Sequence, residues 1–252
     1  MNGENTRAPR RVLLLGGSSA VSLAYLRAES WQAGDEIVAQ YCHHAEALEA
    51  MRETVAPAKL TLCAADFSSV ASTEAFAQKL LDDGFVPTHI LHAPAMRVAN
   101  QRFHEIPWEE AETQLRVSCQ SLFTVLRVLI RPMAKVKTGK IILVLTSYTK
   151  NIPPKYLAGY VMAKYALLGL GRALAAEYAP KHIQVNMVSP SMMETPFVRE
   201  IYEGVVAQSA AANPQKRNAT PEDVANVLRF LFSDANTFVT GTNIPVTGGE
   251  AF

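Results

Sequence analysis

The sequence predicts an α/β fold: one doubly wound, parallel, seven-stranded sheet with helices on both faces, spanning residues 1–252. Seven short apolar runs, rich in leucine and β-branched residues, alternate with longer segments of helical period, which is typical of repeated βαβ units. Four of these runs are almost continuously apolar, as expected of strands that helices cover on both sides. No repeat, low-complexity linker or block of charge divides the chain, so we expect a single domain.

The predicted elements follow from these two periodicities. The strands are Val12–Leu15, Ile37–Tyr41, Leu60–Ala64, His89–His92, Ile141–Thr146, Ile183–Val188 and Asn243–Val246. The helices are predicted at 20–33, 44–55, 70–82, 107–134, 158–179 and 221–233.

Residues that favour helix ends support this division. Gly34, Gly84 and Gly139 follow the first, third and fourth helices, where a left-handed residue is easiest for glycine. Thr220 followed by Pro221 predicts an N-cap with proline in the first turn. Residues 191–219 form the longest stretch after a strand without a predicted element, and we expect a mobile substrate lid there.

Composition excludes several classes of protein. Hydrophobic residues make up 49% of the chain and the net charge is +1, so neither a disordered chain nor a binder of nucleic acid through phosphate neutralisation is indicated. The three cysteines form no CxxC pair and no histidine pair has metal-ligand spacing, so we expect no disulfide framework and no metal. No apolar run reaches about 18 residues and the first ten residues lack a signal sequence, so we expect no membrane span and a cytoplasmic location.

Two side chains with chemical potential share one helix face. Tyr160 and Lys164 are four residues apart, so the phenol and the ammonium group point in the same direction, and a nearby cation favours the phenolate. On spacing alone, an ordinary helix is the favoured interpretation, because the YxxxK pattern often occurs by chance. Ser147 changes this interpretation. It directly follows the apolar run IILVLT and therefore lies at the carboxyl edge of a parallel sheet, where ligands bind.

Taken with the first strand and its glycine turn, these residues resemble those of the short-chain dehydrogenase/reductase family, and the resemblance covers nearly the whole chain. It implies a Rossmann-type fold in which Ser147 positions a substrate carbonyl, Tyr160 transfers a proton, and Lys164 lowers the pKa of the tyrosine and holds the nicotinamide ribose. The subgroup it resembles most is the reductases of 3-oxoacyl groups on acyl carrier protein. This resemblance implies an acyl substrate, free or carried by that protein, in fatty acid or polyketide biosynthesis.

Other segments extend the resemblance. Asp66 corresponds to the family's aspartate near the adenine, the segment Asn186–Thr195 to the one that closes over the nicotinamide, and Arg217–Ala235 to the stretch before the last strand. Thr240-Gly241 with Gly248-Gly249 is similar to the family's ending. The residues that the resemblance assigns to cofactor binding are Gly16, Ser18, Ser19, Val21, Tyr41, Asp66, Ala93, Tyr160, Lys164, Pro190 and Thr195.

The chain also departs from the family. The phosphate-binding turn, usually TGxxxGxG, keeps Gly16 but has Ala20 and Ser22 at the next two glycines. An alanine forced into left-handed geometry would cost about 1 to 2 kcal/mol, and nothing if the turn avoids that geometry. Ser118 stands in register with the family's fourth catalytic residue, an asparagine. His92–Ala95 replaces an asparagine-rich turn, and Ser191 replaces a glycine.

Two alternatives to 3-oxoacyl reduction remain open. The spacing of Gly16, Ser22 and Leu23-Ala24-Tyr25 resembles the turn of enoyl carrier protein reductases, although that branch usually separates its tyrosine and lysine by six residues instead of three. The departures in the glycine turn and at Ser118 are also compatible with a catalytically silent relative that binds or regulates.

Cofactor choice is predicted from the end of the second strand. No acidic residue lies between Val38 and His44 to grip a ribose 2′-hydroxyl, which favours NADP over NAD. The cation for the 2′-phosphate has four candidates by position, namely Arg11, Cys42, His43 and His44, and a solvated loop is the alternative.

The remaining expectations concern the substrate pocket and assembly. Tyr148, Tyr156, Met192 and Met193 are candidates for pocket walls, with simple packing as the alternative. The two longest helices are apolar on more than one face. The family pairs these helices between subunits, so the resemblance implies a homodimer or homotetramer.

Overall fold

A computed structural model describes residues 7–97, 100–195 and 203–252. These residues form a seven-stranded, all-parallel sheet in the order β3-β2-β1-β4-β5-β6-β7. The strands are β1 (Arg11–Leu15), β2 (Glu36–Tyr41), β3 (Lys59–Ala64), β4 (His89–His92), β5 (Gly139–Val144), β6 (Ile183–Pro190) and β7 (Asn243–Val246). All seven predicted strands are confirmed, with ends that differ by at most two residues.

Residues along β1 explain why both faces of the sheet are covered. Leu13 and Leu15 belong to one buried apolar cluster, whereas Val12 and Leu14 belong to a second one. Successive side chains of a strand point to opposite faces, so a run that is apolar throughout buries both. The first cluster includes residues of α3, α5 and α6, and the second includes residues of α1 and α8.

The helices within the described residues agree with the prediction in position more often than in length. They are α1 (Ala20–Ala28), α2 (Glu46–Glu49), α3 (Val70–Asp82), α4 (Trp108–Leu115), α5 (Ser121–Val136), α6 (Ala158–Tyr178), α7 (Glu203–Ala212) and α8 (Pro221–Phe232). The predicted helix at 44–55 is a single turn, α2, which buries only Leu48, and so short a helix has little stability of its own. The predicted helix at 107–134 is divided by a π-helical turn at Arg116–Gln120.

The predictions for helix ends have mixed outcomes. Gly34 and Gly84 are left-handed, as predicted, but Lys137 takes the left-handed position after α5 and Gly139 begins β5. The prediction for Gly139 is therefore wrong. Thr220 caps α8 through the backbone N–H of Asp223, and the Asp223 carboxylate accepts a hydrogen bond from the Thr220 N–H at 2.8 Å.

The predicted lid at 191–219 is not an irregular loop throughout. It contains α7. A parallel backbone bridge joins Met193, near the start of this segment, to Ala219 at its end. Its central residues 196–202 lie outside the described residues. No helix of the described ranges is long and apolar enough to cross a membrane.

Candidate active site

A cavity of about 830 Å³ lies along the carboxyl edge of the sheet. It occupies the place where β1 and β4 are neighbours although the chain connects β1 to β2, the kind of crevice in which doubly wound sheets bind ligands. Every residue predicted to bind the cofactor lines it: Gly16, Ser18, Ser19, Val21, Tyr41, Asp66, Ala93, Tyr160, Lys164, Pro190 and Thr195.

Of the three positions at which the family has glycine in the turn after β1, only the first has a left-handed backbone here. Gly16 has a φ of +73°, and a Cβ there would lie 2.7 Å from the backbone nitrogen of Pro94. Ala20 and Ser22 are not among the described residues with positive φ, so the cost considered for an alanine in this turn does not arise.

Hydrogen bonds hold this turn where the family has further glycines. The Ser19 hydroxyl caps α1 by accepting a hydrogen bond from the Ser22 N–H at 3.2 Å, and Ser22 Oγ donates to the Gly16 carbonyl at 3.0 Å. The N-terminus of α1 therefore faces the cavity from a fixed turn. Its N–H groups and the positive end of its dipole are suited to an anion such as a pyrophosphate.

Gln40 is a second support of the turn, and sequence reasoning missed it. Its side-chain oxygen accepts from Gly16 N–H at 2.8 Å and its amide donates to the Ala65 carbonyl at 2.6 Å. The Gly17 N–H also donates to the Gln40 carbonyl, at 2.7 Å. The only signal in the sequence is one glutamine inside an otherwise apolar strand.

One end of the cavity, where the resemblance places the adenosine, contains Tyr41, Cys42, His43 and Asp66. The Ser68 N–H donates to the Asp66 carboxylate at 2.8 Å, and this bond keeps the pKa of the carboxyl below its usual value. The carboxylate is therefore ionised at neutral pH and acts only as a hydrogen-bond acceptor.

Of the four candidates for a cation at this end, Cys42 and His43 line the cavity, whereas Arg11 and His44 do not. Arg11 begins β1 at the opposite edge of the sheet, where it pairs with Glu36 at 3.0 Å, so it is excluded. His44 is largely exposed and is not among the residues lining the cavity. Arg27 of α1 does line the cavity, although no motif indicates it, and its guanidinium lies 3.3 Å from the carboxylate of Glu222.

Ser147, Tyr160 and Lys164 all line the same cavity. Ser147 begins a short 3₁₀ turn just after β5, and the other two residues lie on one face of α6. Lys164 is 2% exposed, its Nζ donates to the Val144 carbonyl at 2.9 Å, and it lies 5.8 Å from the centroid of the Tyr160 ring. The fold thus brings these three predicted residues together.

The pKa values of Tyr160 and Lys164 are governed by burial. Burial raises the pKa of Tyr160 to about 12, opposed by a hydrogen bond with Thr146, and burial lowers the pKa of Lys164 to about 8. The net shift of the Tyr160 pKa is therefore upward, and the lowering of this pKa by Lys164 stays a prediction. At neutral pH the phenol keeps its proton and can donate it.

Some of the residues that depart from the family, and of the candidates for pocket walls, line the cavity, and others do not. Ser118 lies in the π-helical turn, is completely buried and does not line the cavity. Ser191, Met192, Met193 and Tyr148 do line it, whereas Tyr156 faces a smaller neighbouring cavity, contrary to its expected place. Within the described ranges, no three histidine, cysteine or carboxylate side chains are grouped as a metal site would require.

Comparison with known proteins adds independent findings. The family model described as "Enoyl-(Acyl carrier protein) reductase" matches residues 17–250. An acetoacetyl-CoA reductase of Acinetobacter is 28% identical over 180 residues, covering 71% of each chain. A 3-oxoacyl-(acyl carrier protein) reductase of Aquifex aeolicus is 32% identical over 150 residues, which are 59% of this chain and 58% of that one.

The fold is also shared with solved structures. The crystal structure of levodione reductase superimposes with a TM-score of 0.84 at 24% identity, covering 96% of this chain and 98% of that one. At that identity the likeness concerns the fold. The family model spans nearly the whole chain and includes most of the glycine turn as well as the Ser147, Tyr160 and Lys164 positions. The chain therefore belongs to the short-chain dehydrogenase/reductase family and is an oxidoreductase.

Proposed function

We propose that this protein uses NADPH to reduce a ketone, most specifically a 3-oxoacyl thioester, free or on acyl carrier protein. The observation that carries this proposal is the convergence of Ser147, Tyr160 and Lys164 on one cavity whose other end has a glycine turn and a helix N-terminus. A carbonyl needs a hydrogen-bond donor and a proton source, and this set supplies both.

The chain's own residues fit a dinucleotide. The missing Cβ of Gly16 leaves room that a side chain would fill, and the N–H groups of α1 face the same space. Ser18, Ser19, Val21 and Thr195 would hold the phosphates, while Tyr41 and Asp66 would flank the adenosine. Ala93, Pro190, Tyr160 and Lys164 would surround the nicotinamide and its ribose. When bound, the nicotinamide supplies a hydride.

Each catalytic residue has a defined proton or hydrogen bond to provide. Ser147 Oγ–H would donate to the carbonyl oxygen and polarise it. Tyr160, protonated at neutral pH, would give its phenolic proton to the same oxygen as an alcohol forms. The buried Lys164 ammonium would then stabilise the resulting phenolate, because a charge pair interacts strongly where water is excluded.

The preference for NADP is supported by the cavity wall. Tyr41 stands at the end of β2, and the neighbouring residues Cys42 and His43 carry no carboxylate that would repel a 2′-phosphate. Arg27 is the cation that we assign to this phosphate, with His43 beside it. The cytoplasmic location and the homodimer or homotetramer expected from the sequence belong to this proposal as well.

The acyl class is supported by the opposite wall and by the relatives. Met192, Met193 and Tyr148 present apolar surface next to Ser147, and thioether side chains adapt to flexible chains. Two relatives named above are reductases of an acetoacetyl thioester and of 3-oxoacyl groups. Enoyl reduction is a second candidate, favoured by the match to a family described as enoyl-(acyl carrier protein) reductase.

Titration of the purified protein with NADPH and NADH, followed by nicotinamide fluorescence and thermal shift, tests the cofactor. We expect NADPH to bind and NADH to bind more weakly. Binding of neither at millimolar concentration would contradict the proposal and favour a catalytically silent relative. Consumption of NADPH with acetoacetyl-CoA but not with crotonyl-CoA would separate ketone from enoyl reduction.

Replacement of Tyr160 by Phe tests the proton donor. The change removes one hydroxyl with little change in packing, so we expect kcat to fall by at least about 100-fold while NADPH still binds. Tyr165→Phe on the same helix, whose side chain is half exposed, is the matched control. Full activity of the Tyr160 variant would refute the assigned role.

A further inference from the structure

Three polar side chains connect the turn that carries Ser147 to the last two strands of the sheet. Thr149 belongs to this 3₁₀ turn, Ser189 to β6 and Asn243 to β7, and we call these three residues the polar ring. Ser189 is completely buried, Asn243 is 7% exposed and Thr149 is partly buried. Polar groups in such places cost stability unless they are paired with one another.

The hydrogen bonds of the polar ring have defined donors. Ser189 Oγ donates to Asn243 Oδ1 at 2.7 Å, and Asn243 Nδ2 donates to Thr149 Oγ1 at 3.0 Å. Ser189 has only one hydrogen, so Thr149 is the donor in the 3.0 Å contact between the two hydroxyls. The Thr149 hydroxyl also donates to the Thr146 carbonyl at 2.9 Å. The amide of Asn243 is therefore linked through one hydroxyl group to the backbone beside Ser147.

The peptide groups on both sides of Ser147 are fixed by this turn. The Thr146 carbonyl accepts a hydrogen bond from the Thr149 N–H at 3.0 Å, in addition to the one from the Thr149 hydroxyl. The Ser147 carbonyl accepts from the Lys150 N–H at 2.8 Å. Of these bonds, the one from the Thr149 hydroxyl is the bond that depends on the polar ring.

The proposed role of Ser147 makes such support necessary. Its hydroxyl has to stay available for a substrate carbonyl, so its place in the cavity is set by the backbone on either side of it. A displacement of about 1 Å can slow a reaction about 100-fold. We propose that Asn243 and Thr149 are positioning residues, which hold the Ser147 hydroxyl in place for the substrate. This role rests on the function proposed for Ser147.

Thr149→Val and Thr149→Ser form a matched pair of variants. The first keeps the branched shape of the side chain and removes the hydroxyl, whereas the second keeps the hydroxyl. We expect kcat to fall about 10- to 100-fold for Thr149→Val and less than about threefold for Thr149→Ser, with the Kd for NADPH unchanged in both. Asn243→Leu should resemble Thr149→Val, since it removes the same link. Equal kcat values for the two Thr149 variants would contradict the proposal.

A double-mutant cycle separates positioning from a general loss of structure. If Thr149 acts through Ser147, Thr149→Val should change kcat by less than about twofold in a protein that already carries Ser147→Ala. A loss of the full size in that background would overturn the proposal.

Asn236→Ala is the control for stability. The Asn236 side chain is buried and makes two hydrogen bonds, to the Leu231 carbonyl and the Val239 N–H, both at 3.0 Å. It lies at the opposite edge of the sheet, where Lys140 of β5 donates to its carbonyl at 2.9 Å. This variant should lower the denaturant midpoint and leave kcat unchanged. A fall in kcat as large as that of Thr149→Val would show that loss of stability alone explains the effect.

Crystal structures test the placement of Ser147 without any activity. In Thr149→Val, Ser147 Oγ should be displaced or divided between two positions, while β5 and β6 superimpose on those of the unaltered protein. An unmoved Ser147 would overturn the proposal. If Thr149→Val fails to fold, Asn243→Asp takes its place, because a carboxylate can accept from Ser189 but cannot donate to Thr149.

These outcomes differ from those that bear on the proposed function. Binding of neither NADPH nor NADH would refute the function, while the crystal structures would still decide the placement of Ser147. Turnover at the same kcat in the unaltered protein and in Thr149→Val would refute the positioning role alone.

Discussion

At the scale of single residues, Lys164 is a buried charged group whose desolvation costs stability. Lys164 is almost inaccessible to water, and within the described ranges its ammonium group pairs with no carboxylate but donates to the Val144 carbonyl. The fall of its pKa from 10.5 to about 8 measures how much burial disfavours the charged form. A residue that weakens the fold in this way is expected where chemistry needs it.

Lys164→Met should therefore stabilise the cofactor-free protein at pH 7, by up to about 3 kcal/mol less the lost hydrogen bond. The folded-state pKa is below the unfolded one, so between about pH 8 and 10.5 the unfolded chain binds more protons and the wild type gains stability as pH rises. The advantage of the variant should shrink across that window. Urea unfolding of both proteins at pH 7 and pH 10 measures it, and a difference independent of pH would contradict the argument.

At Gly16, both the backbone conformation and the lack of space for a Cβ require glycine. Gly16→Ala combines a left-handed φ with a Cβ placed 2.7 Å from the Pro94 nitrogen, so we expect a stability loss of about 1 to 3 kcal/mol and no measurable NADPH binding. Gly169→Ala is the control, because a Cβ there meets nothing within 4 Å in an exposed part of α6. It should stabilise the protein slightly, by about 1 kcal/mol. Thermal unfolding with and without NADPH decides between these outcomes.

Sequence reasoning was most successful for residues whose position depends on local geometry. Tyr160 and Lys164 meet because they are four residues apart on a helix, and Ser147 joins them because it follows a parallel strand. Gln40 and Arg27 were missed because their roles depend on partners distant in sequence, such as Ala65 and Glu222. The burial that raises the pKa of Tyr160 was likewise not predictable from the sequence.

At the scale of elements, the turn between β1 and α1 shows that glycine has been replaced by hydrogen bonding. Ser22 is completely buried, and its hydroxyl links the first turn of α1 to the Gly16 carbonyl. The loss of a glycine from the family pattern is therefore compensated, since the serine supplies a contact that glycine lacks.

Restoring the family residue should accordingly harm the protein. Ser22→Gly removes a buried hydrogen bond and adds a glycine to a helix, for an expected loss of about 1 to 2 kcal/mol, together with weaker NADPH binding. Ser18→Gly changes an exposed serine of the same turn and should cost less. Denaturant midpoints of the two variants compare the losses of stability, and an NADPH titration of the Ser22 variant against the unaltered protein measures the effect on binding. A stabilised Ser22 variant would show that these hydrogen bonds do not hold the turn.

Two elements show the limits of pattern analysis. The segment of α7, with the sequence EGVVAQSAAA, distributes small and apolar residues around all sides, so helical period gave no signal. The π-helical turn at Arg116–Gln120 interrupts a pattern that otherwise predicts one continuous helix. Strand positions were easier to predict, because burial on both faces leaves uninterrupted apolar runs.

At the scale of the whole molecule, α5 and α6 leave apolar side chains at the surface. Phe123, Val136, Met162 and Tyr165 are between 38% and 59% exposed on these two helices. Exposed apolar surface, where it is contiguous, marks interfaces in soluble proteins. The arrangement supports the expected homodimer or homotetramer.

Light scattering at micromolar concentration should accordingly give a mass of two or four chains. Phe123→Glu places a charge on the proposed interface and should shift the population to smaller species. Leu81→Glu, at a 40% exposed position on α3, provides the control and should leave the mass unchanged. A wild-type monomer at this concentration would refute the proposed assembly.

The order of the strands also has a consequence for how this chain is made. The central strand β1 pairs with β4, and the contact between Arg11 and Thr88 at the start of that pairing joins residues 77 positions apart. While a ribosome is still adding the residues between them, β1 has one unpaired edge of almost wholly apolar sequence, which is a template for aggregation. Nascent chains that stop before β4 should therefore depend on chaperones, and the dependence should fall once β4 has left the ribosome.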